Sequence, residues 1–263
     1  MNKRILTVAA ATLLSACTPA ESAPAMQAAY QGFSSPTGIV AQAGEAVYVS
    51  DWSANTVTRI GKDGSHRVVA QGIAAPAGLA LDKQGRLYIA SYSGDYITRL
   101  EADGSLKSIA ENLATPTGIA FAQDGRLLIA NRATGQVLAL NTENGKTAVL
   151  ADGFDLPVGV AQTADGSIVV SQYGGRVTRI KPDGGKQELG QEFNRPGVGI
   201  AADGVDAVWV ADNGASVVRR VDFNGKTTTV SPKLDGSVVA LGKGINGEWL
   251  AGAWGSGKVY RLN

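Results

Sequence analysis

Short runs of apolar residues, separated by polar and glycine-containing turns, follow one another from about residue 27 to the end of the chain. Several runs alternate apolar and polar positions, for example 57–60 (VTRI) and 97–100 (ITRL), as half-buried β-strands do. Turns such as 63–64 (DG) and 103–104 (DG) supply the positive φ angles that tight hairpins need. No stretch keeps a helical period, so the pattern predicts an all-β fold.

The runs belong to a repeat with a period of 40 or 41 residues. Each repeat opens on a small residue and then holds up to four apolar runs. The small residue recurs at Gly38, Gly78, Gly118, Gly159, Gly199 and Ala240. This period is typical of four-stranded propeller blades. Six repeats therefore predict a six-bladed β-propeller built from four-stranded antiparallel blades.

The two ends of the repeat array complete each other. The last repeat stops at Asn263, directly after its third run. Residues 27–33 (QAAYQGF) align with residues 67–73 (RVVAQGI), which hold the fourth run of the first repeat. We therefore predict a propeller over residues 26–263 in which the N-terminal strand pairs into the last blade. This closure removes the open edges of a linear array.

The first 25 residues have a different character. A basic start (Lys3, Arg4) leads into an apolar stretch that is too short to span a bilayer comfortably. Residues 14–17 (LSAC) resemble the lipobox of bacterial lipoproteins. The resemblance implies that 1–16 is a signal peptide, that Cys17 carries lipid, and that 17–25 is a tether. The alternative is an ordinary signal peptide in which Cys17 has no role.

The expected location follows from the same segment. The resemblance implies a lipid anchor in the bacterial cell envelope. Thr18 stands where an Asp would indicate retention in the inner membrane of a Gram-negative cell. We therefore expect the outer membrane, with the folded body facing the periplasm.

Charge narrows the class of partner. The chain has 24 basic and 23 acidic residues, a net charge of +1, and no long block of one sign. Nucleic-acid binding needs clustered Lys and Arg, so no nucleic-acid partner is expected. The length suits one domain, and we expect a monomer.

The repeats resemble three related groups of propellers: the NHL-repeat proteins, the regucalcin-like and gluconolactonase-like sugar lactonases, and the streptogramin lyases. For the lactonases, the resemblance implies a divalent cation on the axis, with oxygen ligands from the position before the small residue. That position reads Thr37, Ala77, Thr117, Val158, Val198 and Val239. It offers no carboxylate and no amide, so the metal site does not carry over.

For the streptogramin lyases, the resemblance implies a His general base beside a Glu-supported metal. The only His of the chain is His66, at the start of a predicted outermost strand. A solvated residue at the blade edge is the expected role there. No catalytic residue is identified, and the enzymatic chemistry of the relatives does not transfer by motif.

Two columns of residues lie where the second run of each repeat passes to the third. The first column reads Asp51, Ser91, Asn131, Gln172, Asp212 and Ala253. The second column reads Trp52, Tyr92, Arg132, Tyr173, Asn213 and Trp254. Trp, Tyr and Arg dominate binding hot spots, so the second column predicts a ligand-binding face. The alternative is that its rings pack between blades and cap the barrel.

These observations favour a non-enzymatic, lipid-anchored propeller without a cofactor. It would bind an envelope protein, a glycan or a small molecule through the second column. The alternative is a diverged metal-dependent sugar-lactone hydrolase, or a streptogramin-lyase-like enzyme. That enzyme would bind Ca²⁺ or another divalent cation at Asp51, Asn131 and Asp212. For these three residues, capping of turns through backbone amides is the competing role.

Overall fold

The structure, a computed structural model, describes residues 26–190 and 193–262. The predicted signal peptide, the predicted lipidation site at Cys17 and the predicted tether lie outside the described residues. Within the described part of the chain, no helix is long and apolar enough to cross a membrane.

The described residues form six four-stranded antiparallel sheets. The first strand, β1 (Ala28–Gln31), belongs to the last blade. Blades 1 and 2 comprise β2 (Pro36–Gln42), β3 (Ala46–Asp51), β4 (Thr56–Gly61), β5 (His66–Gln71), β6 (Pro76–Leu81), β7 (Leu87–Ser91), β8 (Tyr96–Leu100) and β9 (Leu106–Ala110). Blades 3 and 4 comprise β10 (Pro116–Phe121), β11 (Leu127–Asn131), β12 (Gln136–Leu140), β13 (Thr147–Ala151), β14 (Pro157–Gln162), β15 (Ile168–Gln172), β16 (Arg176–Ile180) and β17 (Lys186–Glu188). Blades 5 and 6 comprise β18 (Pro196–Asp203), β19 (Ala207–Asp212), β20 (Val217–Asp222), β21 (Thr227–Thr229), β22 (Ser237–Lys243), β23 (Trp249–Trp254) and β24 (Lys258–Leu262).

The ring closes through the N-terminal strand. The last blade has the order β1-β24-β23-β22, so the strand missing from the sixth repeat comes from the start of the chain. Ala28 is paired with Tyr260, and Gln31 with Lys258. The innermost strand of each blade contacts that of the next, and β22 returns to β2. The predicted six-bladed propeller and its closure are confirmed.

The hydrophobic core lies between blades rather than within them. Six buried clusters each join two neighbouring blades. Between blades 2 and 3, for example, the fully buried Tyr88 packs with Ile129. The small residue of each repeat faces such a contact. A Cβ on Gly118 would lie 2.7 Å from Gly159 Cα and 2.7 Å from the Val158 carbonyl oxygen. The close approach of adjacent inner strands therefore excludes larger side chains here.

A bulge at the start of every inner strand sets the geometry of the axis. In each blade, the pairing of the first two strands shifts register just before the small residue. A bulge leaves a residue out of the ladder and re-aims its side chain. The residues that precede the small residue, such as Thr37, Val158 and Val239, accordingly line a cavity on the axis.

Candidate binding site at one mouth of the propeller

A cavity of 190 Å³ opens at the mouth where the inner strands begin. All six residues of the second column line it: Trp52, Tyr92, Arg132, Tyr173, Asn213 and Trp254. Each stands at the same point of its own blade, at the end of the second strand (Trp254) or immediately after it. The pseudo-symmetry of the ring therefore brings together residues that are about forty positions apart in sequence.

Contacts between the second-column side chains run around most of the mouth. The rings of Trp254 and Trp52 lie 5.6 Å apart between centroids, and those of Trp52 and Tyr92 lie 4.3 Å apart. Arg132 Nη1 donates to the Tyr92 hydroxyl at 3.1 Å, and the guanidinium lies 5.4 Å from the Tyr173 ring centroid. This arc joins blades 6, 1, 2, 3 and 4 in order.

The sequence left open whether these rings form a binding face or pack between blades. The side chains of the arc pack between blades and also line the cavity. The rings do bridge neighbouring blades, and Trp254 Nε1 donates to the Pro36 carbonyl at 3.1 Å. Yet none of the six residues is fully buried, and Tyr173 is 36% exposed. The side chains are therefore held in place by one another while they still present surface to the cavity.

The floor of the cavity is mostly apolar. It consists of Val158, Val198 and Val239 together with two threonines. The hydroxyls of Thr37 and Thr117 donate to the carbonyls of Ser35 and Thr115, at 2.9 and 3.1 Å. These polar atoms are already satisfied, so the floor offers chiefly apolar contact to a ligand.

A second cation, Arg195, borders the mouth, and it is not among the residues predicted from the sequence. The guanidinium of Arg195 lies 5.2 Å from the Tyr173 ring centroid. Arg195 is exposed and has a φ of 81°, in the left-handed region. The signal was available, because Arg195 directly precedes Pro196, the residue that opens the fifth inner strand. The same place before the proline holds Ala75, Thr115 and Leu156, which also have positive φ angles.

In blades 1 to 5, the first-column residue bonds the chain that enters the blade. Asp51 accepts the amides of Ser34 and Ser35 at 2.6 and 2.9 Å. Asn131 Oδ1 accepts the amide of Ala114 at 2.9 Å. Each bond ties the end of the second strand to the linker that leads into the inner strand of the same blade. The capping role expected for short polar side chains therefore describes these residues.

Asp212 has the same role and one further partner. Its carboxylate accepts the amide of Asn194 at 3.0 Å and pairs with Arg219 Nε at 2.8 Å. Asp212 is fully buried, while Asp51 and Asn131 are each 4% exposed. The three residues belong to different blades, and their oxygens face their own linkers. They do not fit a shared cation site.

The chemistry implied by the enzyme relatives does not fit the residues at this mouth. In the part of the chain that the structure describes, no group of three or more His, Cys, Asp or Glu could hold a metal ion. His66 lies on the outer strand of blade 1, exposed, with its ring centroid 6.1 Å from that of Tyr30 and 6.4 Å from that of Phe33. It is not among the residues that line the cavity.

The fold and the residues around the mouth define the class of the protein, a six-bladed β-propeller with a side-chain-lined cavity at one end of its axis. The profile of the virginiamycin B lyase family matches residues 34–263. The chain belongs to this family. No curated protein matches the sequence significantly.

Solved structures resemble the chain in fold. A gluconolactonase from Xanthomonas campestris superposes with a TM-score of 0.79 at 20% identity, over 89% of this chain and 88% of that one. A catalytically inactive virginiamycin B lyase from Staphylococcus aureus, solved with quinupristin, has a TM-score of 0.68 at 19% identity, over 90% and 84%. A chain of a nidogen–laminin complex has a TM-score of 0.70 at 20% identity, over 79% and 84%. Propellers of this shape thus occur with both small-molecule and protein partners.

Proposed function

We propose that the protein is a lipid-anchored module of the bacterial cell envelope that binds a ligand or a partner protein at the aromatic mouth. The observation that carries the proposal is the ring itself, in which all six second-column residues line one cavity. Aromatic and Arg side chains around a mostly apolar floor provide large contact area and are enriched in binding hot spots. The quinupristin and laminin complexes of similar propellers support a binding role.

Two tryptophans at opposite ends of β23 provide a matched test. Trp254 lines the mouth and lies beside Trp52, whereas Trp249 is at the far end of the strand and stacks on Trp209 at 4.6 Å. Both are half-buried. Trp254→Ala should abolish cross-links between this chain and its partners in intact envelopes, and Trp249→Ala should keep them. Equal cross-linking by both folded variants would refute the proposed mouth.

The lipid anchor is a separate part of the proposal, supported by residues 14–17 (LSAC). Several acyl chains on one residue anchor durably, since each buried methylene contributes about 0.8 kcal/mol. Cells grown with radiolabelled palmitate should label the wild-type chain and not Cys17→Ala. Membrane fractionation should place the labelled chain with the outer membrane. An unlabelled wild-type chain would remove the anchor and leave the binding mouth standing.

Family membership favours one second candidate, a diverged metal-dependent lyase or sugar-lactone hydrolase. Such an enzyme needs a bound cation. The two functions separate in a thermal-shift scan of the full chain with Ca²⁺, Mg²⁺ and a chelator. A ligand at a hundred times its Kd adds about 2.7 kcal/mol, which is a rise of several degrees for this size. We expect no cation-dependent rise. A rise that the chelator reverses would support the enzyme.

A further inference from the structure

The two sides of the mouth differ in chemistry. Blades 6, 1 and 2 contribute the rings of Trp254, Trp52 and Tyr92, and the Nε1 atom of Trp254 is already bonded to the barrel. Blades 3 to 5 contribute Arg132, Tyr173, Asn213 and, beside them, Arg195. One half of the mouth is thus aromatic, and the other half is polar and cationic.

The cationic half carries no compensating acid. Among the residues that the structure describes, no Asp or Glu lines the cavity. Within residues 26–190 and 193–262, no carboxylate forms an ion pair with Arg132 or Arg195, although most other arginines of the repeats have one. A guanidinium has five N–H donors. Arg132 uses one of them on the Tyr92 hydroxyl, which leaves donors for a ligand.

Nearby carboxylates do not cancel this charge. Asp51 and Asp212 are buried, and each is engaged by backbone amides of its own linker. Asp155 is exposed and packs on Gly174, the residue after Tyr173, but it does not line the cavity. The guanidiniums at the Arg132–Tyr173–Arg195 side are therefore not ion-paired with any of these carboxylates, and they can donate to an anion.

Both cations contact the ring of Tyr173. Its ring centroid lies 5.4 Å from the guanidinium carbon of Arg132 and 5.2 Å from that of Arg195. The ring attracts each cation and holds it at this side of the mouth. A bound carboxylate or phosphate accepts charge-assisted hydrogen bonds from a guanidinium, which are about twice as strong as neutral ones.

We infer that the ligand of this mouth is an acid with a flat ring. The ring lies against Trp52, Tyr92 and Trp254, and its carboxylate or phosphate lies at the side of the mouth that carries Arg132 and Arg195. This inference rests on the proposed binding function and names the class of ligand. The cavity of 190 Å³ is smaller than the roughly 300–1,000 Å³ of drug-sized sites, so it takes a single ring with its acidic group.

Four small probes distinguish the contribution of the aromatic half of the mouth from that of the cationic half. Benzoate and phenyl phosphate have a ring and an acid, benzamide has only the ring, and acetate has only the acid. Dissociation constants are measured by ligand-observed NMR titration of the full chain in non-ionic detergent. We expect benzoate or phenyl phosphate to bind at least about tenfold more tightly than benzamide or acetate. The comparison of the two acids shows whether the site prefers carboxylate or phosphate.

Variants assign the effect to residues. Arg132→Gln and Arg195→Gln should each weaken binding of the acidic probe by about tenfold and leave benzamide unchanged. Trp52→Ala should weaken both ring compounds. Arg67→Gln removes an exposed charge from β5, away from the mouth, and should change neither. Melting temperatures of all variants verify folding.

Each result decides the inference. Equal affinity for benzoate and benzamide, or arginine variants that bind the acid as the wild type does, would overturn the acidic class. Sensitivity to Trp52→Ala in that case would leave the binding mouth intact. Absence of binding by every ring probe would also overturn the inference. The proposed function would then be judged by the Trp254 and Trp249 cross-linking pair alone.

Discussion

Neighbouring residues at the mouth differ in whether the barrel already uses their polar atoms. Asp51 accepts backbone amides and is buried, while Trp52 beside it presents a half-buried ring to the cavity. The same contrast holds for Asn131 and Arg132. In these two pairs the first residue fixes the linker, and the second lines the cavity. The loops at the mouth are thus held by one residue of the pair while the other stays partly exposed.

Loss of the Asp51 carboxylate should destabilise the fold. Asp51→Ala leaves the amides of Ser34, Ser35 and Ala54 without their acceptor. An orphaned buried polar group costs about 1–3 kcal/mol, and the free energy of unfolding should fall by that order. Urea denaturation measures the change. Asp155→Ala, at an exposed carboxylate on the same face, is the control and should unfold close to the wild-type midpoint.

Asp165 should make stability depend on pH in acid. Burial opposes its ionisation, but hydrogen bonds from Thr163, Ser167 and Arg179 hold the pKa of Asp165 well below its usual range. A carboxyl with a lowered folded-state pKa contributes stability above its unfolded pKa of about 3.9 and loses it as the pH falls toward the folded value.

Asp165→Asn should therefore be less stable than the wild type at pH 7, and the difference should narrow below about pH 4. Urea midpoints at pH 7 and pH 3 measure this difference. Asp152→Asn, at an exposed position, should show no such convergence. A gap between Asp165→Asn and wild type that stays constant with pH would contradict the role of the ionised carboxylate.

The inner strands are shaped by how closely neighbouring blades approach. In the five repeats whose small residue is glycine, a Cβ at that position would meet backbone atoms of the next inner strand. The register shift beside it turns the preceding side chain toward the axis. The small residue thus lets the propeller close tightly, and the register shift beside it places the preceding side chain in the floor of the cavity. A larger side chain at this point strains two blades at once.

Gly118→Ala should lower stability because the added methyl would meet Gly159 Cα and the Val158 carbonyl oxygen, both at 2.7 Å. Overpacking of this kind costs about 1–3 kcal/mol. The control is Gly185→Ala, an exposed turn glycine whose nearest neighbour is the end of the Asp183 side chain at 3.1 Å. Calorimetry should show a lower Tm for Gly118→Ala alone. Equal Tm values would indicate that the inner strands can separate without cost.

Closure of the ring makes the whole molecule depend on a strand from the start of the chain. Strand β1 covers the outer edge of β24, and Tyr30 packs into the cluster between blades 6 and 1. Uncovered edges of this kind pair with other chains. The same closure holds Trp254 of blade 6 beside Trp52 of blade 1. The mouth and the N-terminal strand are therefore coupled through one blade.

Deletion of Ala28–Gln31 should open the ring. The Tm should fall and the protein should associate, because the edge of β24 and the apolar surface beneath β1 become exposed. Sedimentation velocity distinguishes monomer from larger species, and calorimetry reports the Tm. A monomer with the wild-type Tm would show that β1 contributes nothing to closure.

The repeat period was sufficient to predict the six blades, the closing strand and the second column. Equal repeats place equivalent positions at equal heights around one axis, so Trp52 and Trp254 could be assigned to one mouth without knowledge of any contact. The small residues at Gly118 and Gly159 were visible for the same reason.

Only the tertiary structure decided which polar atoms remain available. The amides that engage Asp51 and Asp212 come from linkers 16 to 18 residues away. Arg195 joins the mouth because a left-handed backbone conformation before a proline brings it to the ring of Tyr173 in the preceding blade. A repeat pattern reports the height of a residue along the axis. Contacts between these side chains and the linker of the same blade, or the ring of the preceding blade, depend on the packing of segments that the repeat pattern does not describe. Those contacts distinguish a carboxylate engaged by backbone amides from an arginine that has no carboxylate partner among the described residues.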